Sequence, residues 1–132
     1  MTGRPLVRAI AVLWVSLAIV GCGEGSFTGQ YDLITVNGES VPYVLVELGD
    51  RTLEITAAFI QLNNDETFST EGTFRETVGG SVSTYTQPAS GSWKRTGDQL
   101  NLTYSNGGVD TAVVSGNQFT VIADGVSFVH RK

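Results

Sequence analysis

Beyond Cys22 the chain alternates apolar and polar positions with a period of two, the spacing of a strand that buries one face. Phe68, Thr70, Gly72 and Phe74 fall on one side of such a run, with Thr67, Ser69, Glu71, Thr73 and Arg75 on the other. The first set is predicted to point inward. Leu100, Leu102 and Tyr104 alternate with Asn101 and Thr103 in the same manner. The same logic turns inward Tyr31 and Leu33, Trp93, Val109 with Thr111 and Val113, Phe119 with Val121, and Phe128. Between Leu53 and Leu62 the phase slips, because Leu53 and Ile55 are odd while Ile60 and Leu62 are even. A β-bulge near Ala57-Ala58 reconciles them.

Turn signals punctuate these runs at close, fairly even spacing: Asn37-Gly38, Gly49-Asp50, Asn63-Asn64-Asp65, Gly79-Gly80, Gly97-Asp98, Asn106-Gly107-Gly108, Gly116-Asn117 and Asp124-Gly125. The segments between them are rich in Thr, Val, Ile, Tyr and Phe, which favour strands, and none carries a helical stripe. The pattern predicts an all-β domain, an antiparallel up-and-down meander of about eight to ten strands. Closing the meander into a small barrel removes its exposed edges.

The segment before Cys22 reads differently. Arg4 and Arg8 precede an apolar run from Ala9 to Gly21, which has the length of a signal-peptide core and is too short to span a bilayer. The run ends in Ile19-Val20-Gly21-Cys22, which resembles the lipobox of bacterial lipoproteins. That resemblance implies a helical signal peptide over residues 1–21, removed when Cys22 is acylated to become the first mature residue. It also implies an address. Under the sorting rule of some Gram-negative bacteria an Asp after the cysteine retains the protein at the inner membrane, and here Gly23 stands in its place. The expected location is therefore the cell envelope, lipid-anchored, at an outer membrane and facing periplasm or surface. Residues 22–28 then form the lipidated cysteine and a short tether, and residues 29–132 the barrel domain. Gly23-Glu24-Gly25-Ser26 reaches no more than roughly 14 Å, so the domain is expected against the bilayer.

Cys22 is the single cysteine, so once acylated it leaves no thiol for a disulfide, a metal or a nucleophile. Charge shifts with processing too. All 13 acidic residues follow the leader while Arg4 and Arg8 leave with it, giving the mature chain a net charge of about −7. That balance argues against nucleic acid and against an anionic headgroup surface as partners.

Several stretches of the body are similar to the lipocalin-like domains of small bacterial lipoproteins: Gly29-Gln30-Tyr31-Asp32-Leu33, Val36-Asn37-Gly38 with Val41-Pro42, Gly91-Ser92-Trp93, Leu100-Asn101-Leu102, Val114-Ser115-Gly116-Asn117 and the closing Arg131-Lys132. The resemblance implies a lipocalin-like barrel and a binding role, and it carries no catalytic residues. His130 stands where that pattern often has an aromatic residue.

A search for chemistry gives no catalytic centre, metal site or cofactor motif, and the expectation is that the protein is not an enzyme. With one histidine, His130, there is no His/Cys zinc cluster. Asn63-Asn64-Asp65-Glu66 lacks the spacing and central glycine of a calcium loop and reads as a hairpin turn. Gly79-Gly80 and Gly107-Gly108 lack the Lys-Ser/Thr and helix of a phosphate loop. Glu71 and Glu76 fall on opposite faces of one strand.

An eight-strand barrel either fills with side chains or holds one small ligand, and two functional readings follow. In one, the protein is a non-enzymatic binding module for a small apolar or amphipathic molecule, lined by Tyr31, Phe68, Phe74, Trp93 and Tyr104. In the other, a solid barrel acts through its loops on an envelope protein or a protease.

Overall fold

A computed structural model describes residues 27–132. The leader over residues 1–21, Cys22 and the tether up to residue 26 lie outside the described residues.

Ten strands follow in order: β1 (Gly29–Val36), β2 (Glu39–Ser40), β3 (Tyr43–Leu48), β4 (Arg51–Leu62), β5 (Thr67–Val78), β6 (Ser81–Thr96), β7 (Gln99–Tyr104), β8 (Val109–Ser115), β9 (Gln118–Ala123) and β10 (Val126–Arg131). Every pairing is antiparallel. From β4 to β10 each strand pairs with the next, β10 returns to β1, and β1 pairs with β4. That last pairing closes an eight-strand barrel, with β2 and β3 outside the ring. The meander and its closure agree with the period-two pattern, and each turn lies where its Gly, Asn and Asp residues stand.

The predicted bulge is present. Ile55 faces Phe74 and Ala57 faces Thr73, so Thr56 is the extra residue, and its hydroxyl donates to the Thr73 carbonyl at 3.2 Å. The bulge brings Ile55 on one side and Ile60 and Leu62 on the other onto the inner face. It also marks a fork. The first half of β4 pairs with β3 (Arg51–Ile55), whereas β1 takes the same edge from Phe59 to Leu62. β3 and the adjoining parts of β4, β5 and β6 thereby continue beyond the barrel as a sheet extension. Arg51–Glu76 (2.6 Å) and Arg75–Glu54 (2.7 Å) ion pairs tie its strands together at the surface.

One assignment is corrected. Val109, Thr111 and Val113 were expected inward, but Val109 and Val113 are exposed, and Ala112 and Val114 are buried instead. Leu102 pairs with Asp110 and Leu100 with Ala112, so the inner face takes the even positions. Valines occupy both phases of this strand, so alternation alone does not decide it. The register set by the turn after Tyr104 does, because a slip of one residue inverts every side chain. Asp110 tolerates its inward position because it accepts a hydrogen bond from the Tyr104 hydroxyl at 3.0 Å.

Candidate functional site

Two apolar clusters share the interior. The larger contains Phe27, Tyr31, Ile60, Leu62, Phe68, Trp93, Leu100, Leu102, Ala112, Val114, Phe119 and Val121, with Tyr104 and Phe128 packed against it. Tyr31, Phe68 and Phe119 are among its most completely buried large side chains. Rings dominate the contacts: Tyr31 meets Phe119 at 4.7 Å between centroids, and Phe68 meets Tyr104 edge to face at 5.2 Å. Of the five residues expected to line a ligand site, Tyr31, Phe68 and Trp93 are therefore core. Tyr104 is half-buried beside them. Burial, and after it the Asp110 carboxylate, push its hydroxyl well above the ordinary value of 10.

Phe74 lies apart. It belongs to the second cluster, built on Leu33, Val36 and Ile55, and its ring stacks on Tyr85 at 5.6 Å. The five residues are thus divided between two clusters at different levels of the sheet.

Phe27 carries a signal that its place in the tether hid. Only 8% exposed, it accepts the Tyr31 hydroxyl at its carbonyl and meets the Trp93 ring at 5.7 Å, while the Arg95 guanidinium lies 4.4 Å above its own ring. Phe27 plugs the barrel end where the chain enters.

The fork in the sheet opens a cleft of about 210 Å³. Leu33, Val41 and Ala58 join its wall to the second cluster, and Asp32, Thr56, Glu71 and Thr73 supply polar groups around Ala57 and Phe59. Asp32, Phe59 and Glu71 form one cross-strand row, because Phe59 pairs with both. The Gln30 side-chain amide donates to Asp32 at 2.8 Å. An apolar wall beside a polar rim suits a small amphipathic molecule. The sequence holds one trace of this site: the phase slip that places the bulge.

Elsewhere, Asp65 serves its turn. Its carboxylate accepts from the Thr67 hydroxyl at 2.6 Å and from the Thr67 backbone N–H at 3.1 Å, which holds it below the ordinary carboxylate range.

His130 is 5% exposed, stacked on Phe119 at 5.4 Å, and its Nδ1 has no hydrogen-bond partner among the described residues. Burial lowers its pKa from 6.5 to about 4, against smaller upward pulls from the Phe128 backbone and then from Asp32. Above pH 6.5 the imidazole is neutral folded or unfolded, and its contribution to stability is complete. As the pH falls through 6.5 the unfolded chain takes up the proton first, and stability is lost progressively until about pH 4. The loss amounts to about 3 kcal/mol at one histidine. His130→Phe keeps a ring against Phe119 and should remove this component. Denaturant unfolding of both proteins across that pH interval tests it, and parallel pH profiles would refute it.

No family model matches the chain, and no curated protein matches it. Among solved structures, the chain is similar to the crystal structure of the Cpx pathway activator NlpE from Escherichia coli, with 22% sequence identity and a TM-score of 0.43 over 61% of this chain. It spans 40% of that chain, and at this degree of overlap nothing about the site described above follows from the likeness.

Proposed function

We propose that this protein is a lipid-anchored lipoprotein of the cell envelope and a non-enzymatic binding module for one small apolar or amphipathic ligand, held in the cleft at the fork between β1 and β3. The anchor rests on Arg4, Arg8, the apolar run and Ile19-Val20-Gly21-Cys22, and the outer-membrane address on Gly23. The lipocalin-like reading is supported by eight antiparallel strands in up-and-down order, an arrangement that lipocalins share with other closed barrels. The observation that carries the location of the ligand is the pairing of a side-chain-filled interior with an open cleft whose wall is apolar and whose rim is polar. At about 210 Å³ the cleft takes a single ring or short acyl segment, below the usual range for drug-sized ligands.

Native and denaturing mass spectrometry of protein extracted from its host envelope tests both parts. The expected masses are those of a chain beginning at acylated Cys22 with one small molecule released on denaturation. Ala57→Phe, at an exposed position on the cleft, should abolish that molecule and leave the melting temperature unchanged. A chain with no acyl mass overturns the anchor. An empty protein, or cargo that survives Ala57→Phe, overturns the cleft.

A further inference from the structure

The sheet extension leaves two strand edges open. On one side β6 pairs with β7 only from Gly91 onward, so residues 81–90 have a free edge, which carries no charge and is interrupted by Pro88. On the other side β3 stands last in the sheet and pairs only with β4. Along Tyr43–Leu48 its far edge therefore keeps a row of backbone N–H and C=O groups that no strand among the described residues meets. An open groove of about 520 Å³ follows that edge, lined by Glu39 and by residues 42–47. These residues point to both faces and none belongs to β4, so the groove lies beside the strand rather than on it. It shares no residue with the cleft. Exposed edges are commonly blunted by proline, by bulges or by charge. Within β3 the devices are the bulge at Leu45 and Glu47, and a glutamate repels an acidic chain while admitting a basic one.

The two faces of this edge are unlike. Val44 and Glu47 share one with Glu54 and Thr52, while Tyr43, Val46 and Leu48 share the other with Ile55, Leu53 and Arg51. On that second face Leu48 is 67% exposed, and Tyr43 joins it to the second cluster. Charge is as one-sided. Glu39, Glu47 and Asp50 stand along the edge with carboxylates that have no hydrogen bond or ion pair among the described residues, whereas Arg51 and Arg75, the bases of the extension, are each held by a glutamate. We propose that the free edge of β3 takes one further strand from a partner protein, an extended segment that alternates basic and apolar residues. Backbone hydrogen bonds add it to the sheet, its basic side chains meet Glu47, and its apolar ones cover Val46 and Leu48. The open edges of a second copy offer no match, because they bring either the same unpaired carboxylates or no charge at all.

Backbone amide exchange tests pairing and charge together. The probe is a capped peptide of alternating lysine and valine, added in excess to the protein extracted from its host envelope. It should slow exchange of the β3 amides on the free edge by at least about five-fold, and the same peptide with glutamate in place of lysine should bind at least about five-fold more weakly. A lysine–valine peptide N-methylated along its backbone keeps the charge and loses the donors, and it should leave β3 unprotected. Glu39→Lys combined with Glu47→Lys, both at exposed positions, should keep the melting temperature and turn the preference toward the glutamate peptide. Exchange in β3 that ignores the lysine peptide, or slows equally with its methylated form, overturns the added strand. Equal responses to the lysine and glutamate peptides, in the wild type or in the double variant, overturn the basic partner. Free-edge amides already protected without peptide, together with a sedimenting mass of two chains, would give the edge to a second copy and overturn the proposal as well.

Discussion

Gly91→Ala should unfold the barrel or cost more than about 4 kcal/mol, at the far end of what single substitutions do. Gly91 faces inward on β6, with Phe68 of β5 on one side and Tyr104 of β7 on the other. A Cβ here would fall within the van der Waals shell of the Thr103 carbonyl oxygen and 2.9 Å from Phe68 Cε1. The first obstacle is backbone, so no rotamer change relieves it. Relief requires β6 to part from β7 in the row where Phe68 and Tyr104 meet edge to face, which breaks the closed ring of strands. Gly72→Ala is the control, since its Cβ would meet only the Phe74 ring, at 2.9 Å, and a side chain at the open end of the second cluster can turn aside. It should cost less than half as much. Denaturant midpoints of both variants decide the matter, and a Gly91→Ala protein with the wild-type midpoint would show that the β6–β7 contact is looser than described.

Trp93→Ala should cost about 3–5 kcal/mol, the range for emptying a large aromatic site in a core. Its indole packs on Phe27 and closes the barrel end, and its N–H donates to the Asn63 carbonyl at 3.0 Å. Trp93→Phe separates these contributions. It keeps most of the packing and loses a hydrogen bond worth about 1 kcal/mol, because the Asn63 carbonyl still accepts from the Glu66 N–H at 3.2 Å. Circular dichroism is the readout, as both variants remove the tryptophan fluorescence. If the alanine variant melts with the wild type, Phe27 and its neighbours close the barrel without Trp93.

What was legible in the sequence was whatever local chemistry dictates. Asn37-Gly38, Gly79-Gly80 and Asp124-Gly125 supply positive φ where the chain reverses, so turn positions could be read directly. Alternation placed Phe68, Leu100, Leu102 and Phe119 inside, and the parity change between Ile55 and Ile60 placed the bulge to within a residue. The candidate cleft was not legible, because it is lined from β1, β4, β5 and the segment before β3, and only closure brings these together.

The sequence by itself determined that this chain is an antiparallel meander with one face apolar, because turn chemistry and a period of two are properties of neighbours along the chain. Only the tertiary structure decided which strands meet at the seam, since β1 pairs with β4 over Gly29–Asp32 and with β2 at Thr35 and Val36 on one edge, and with β10 over Asp32–Val36 on the other, and no local pattern ranks those partners. It decided that Phe27 belongs to the core and that Val109 and Val113 face outward. Each of these depends on register and closure, which are set by contacts between residues far apart in the chain, and periodicity specifies which residues share a face without specifying what that face will meet.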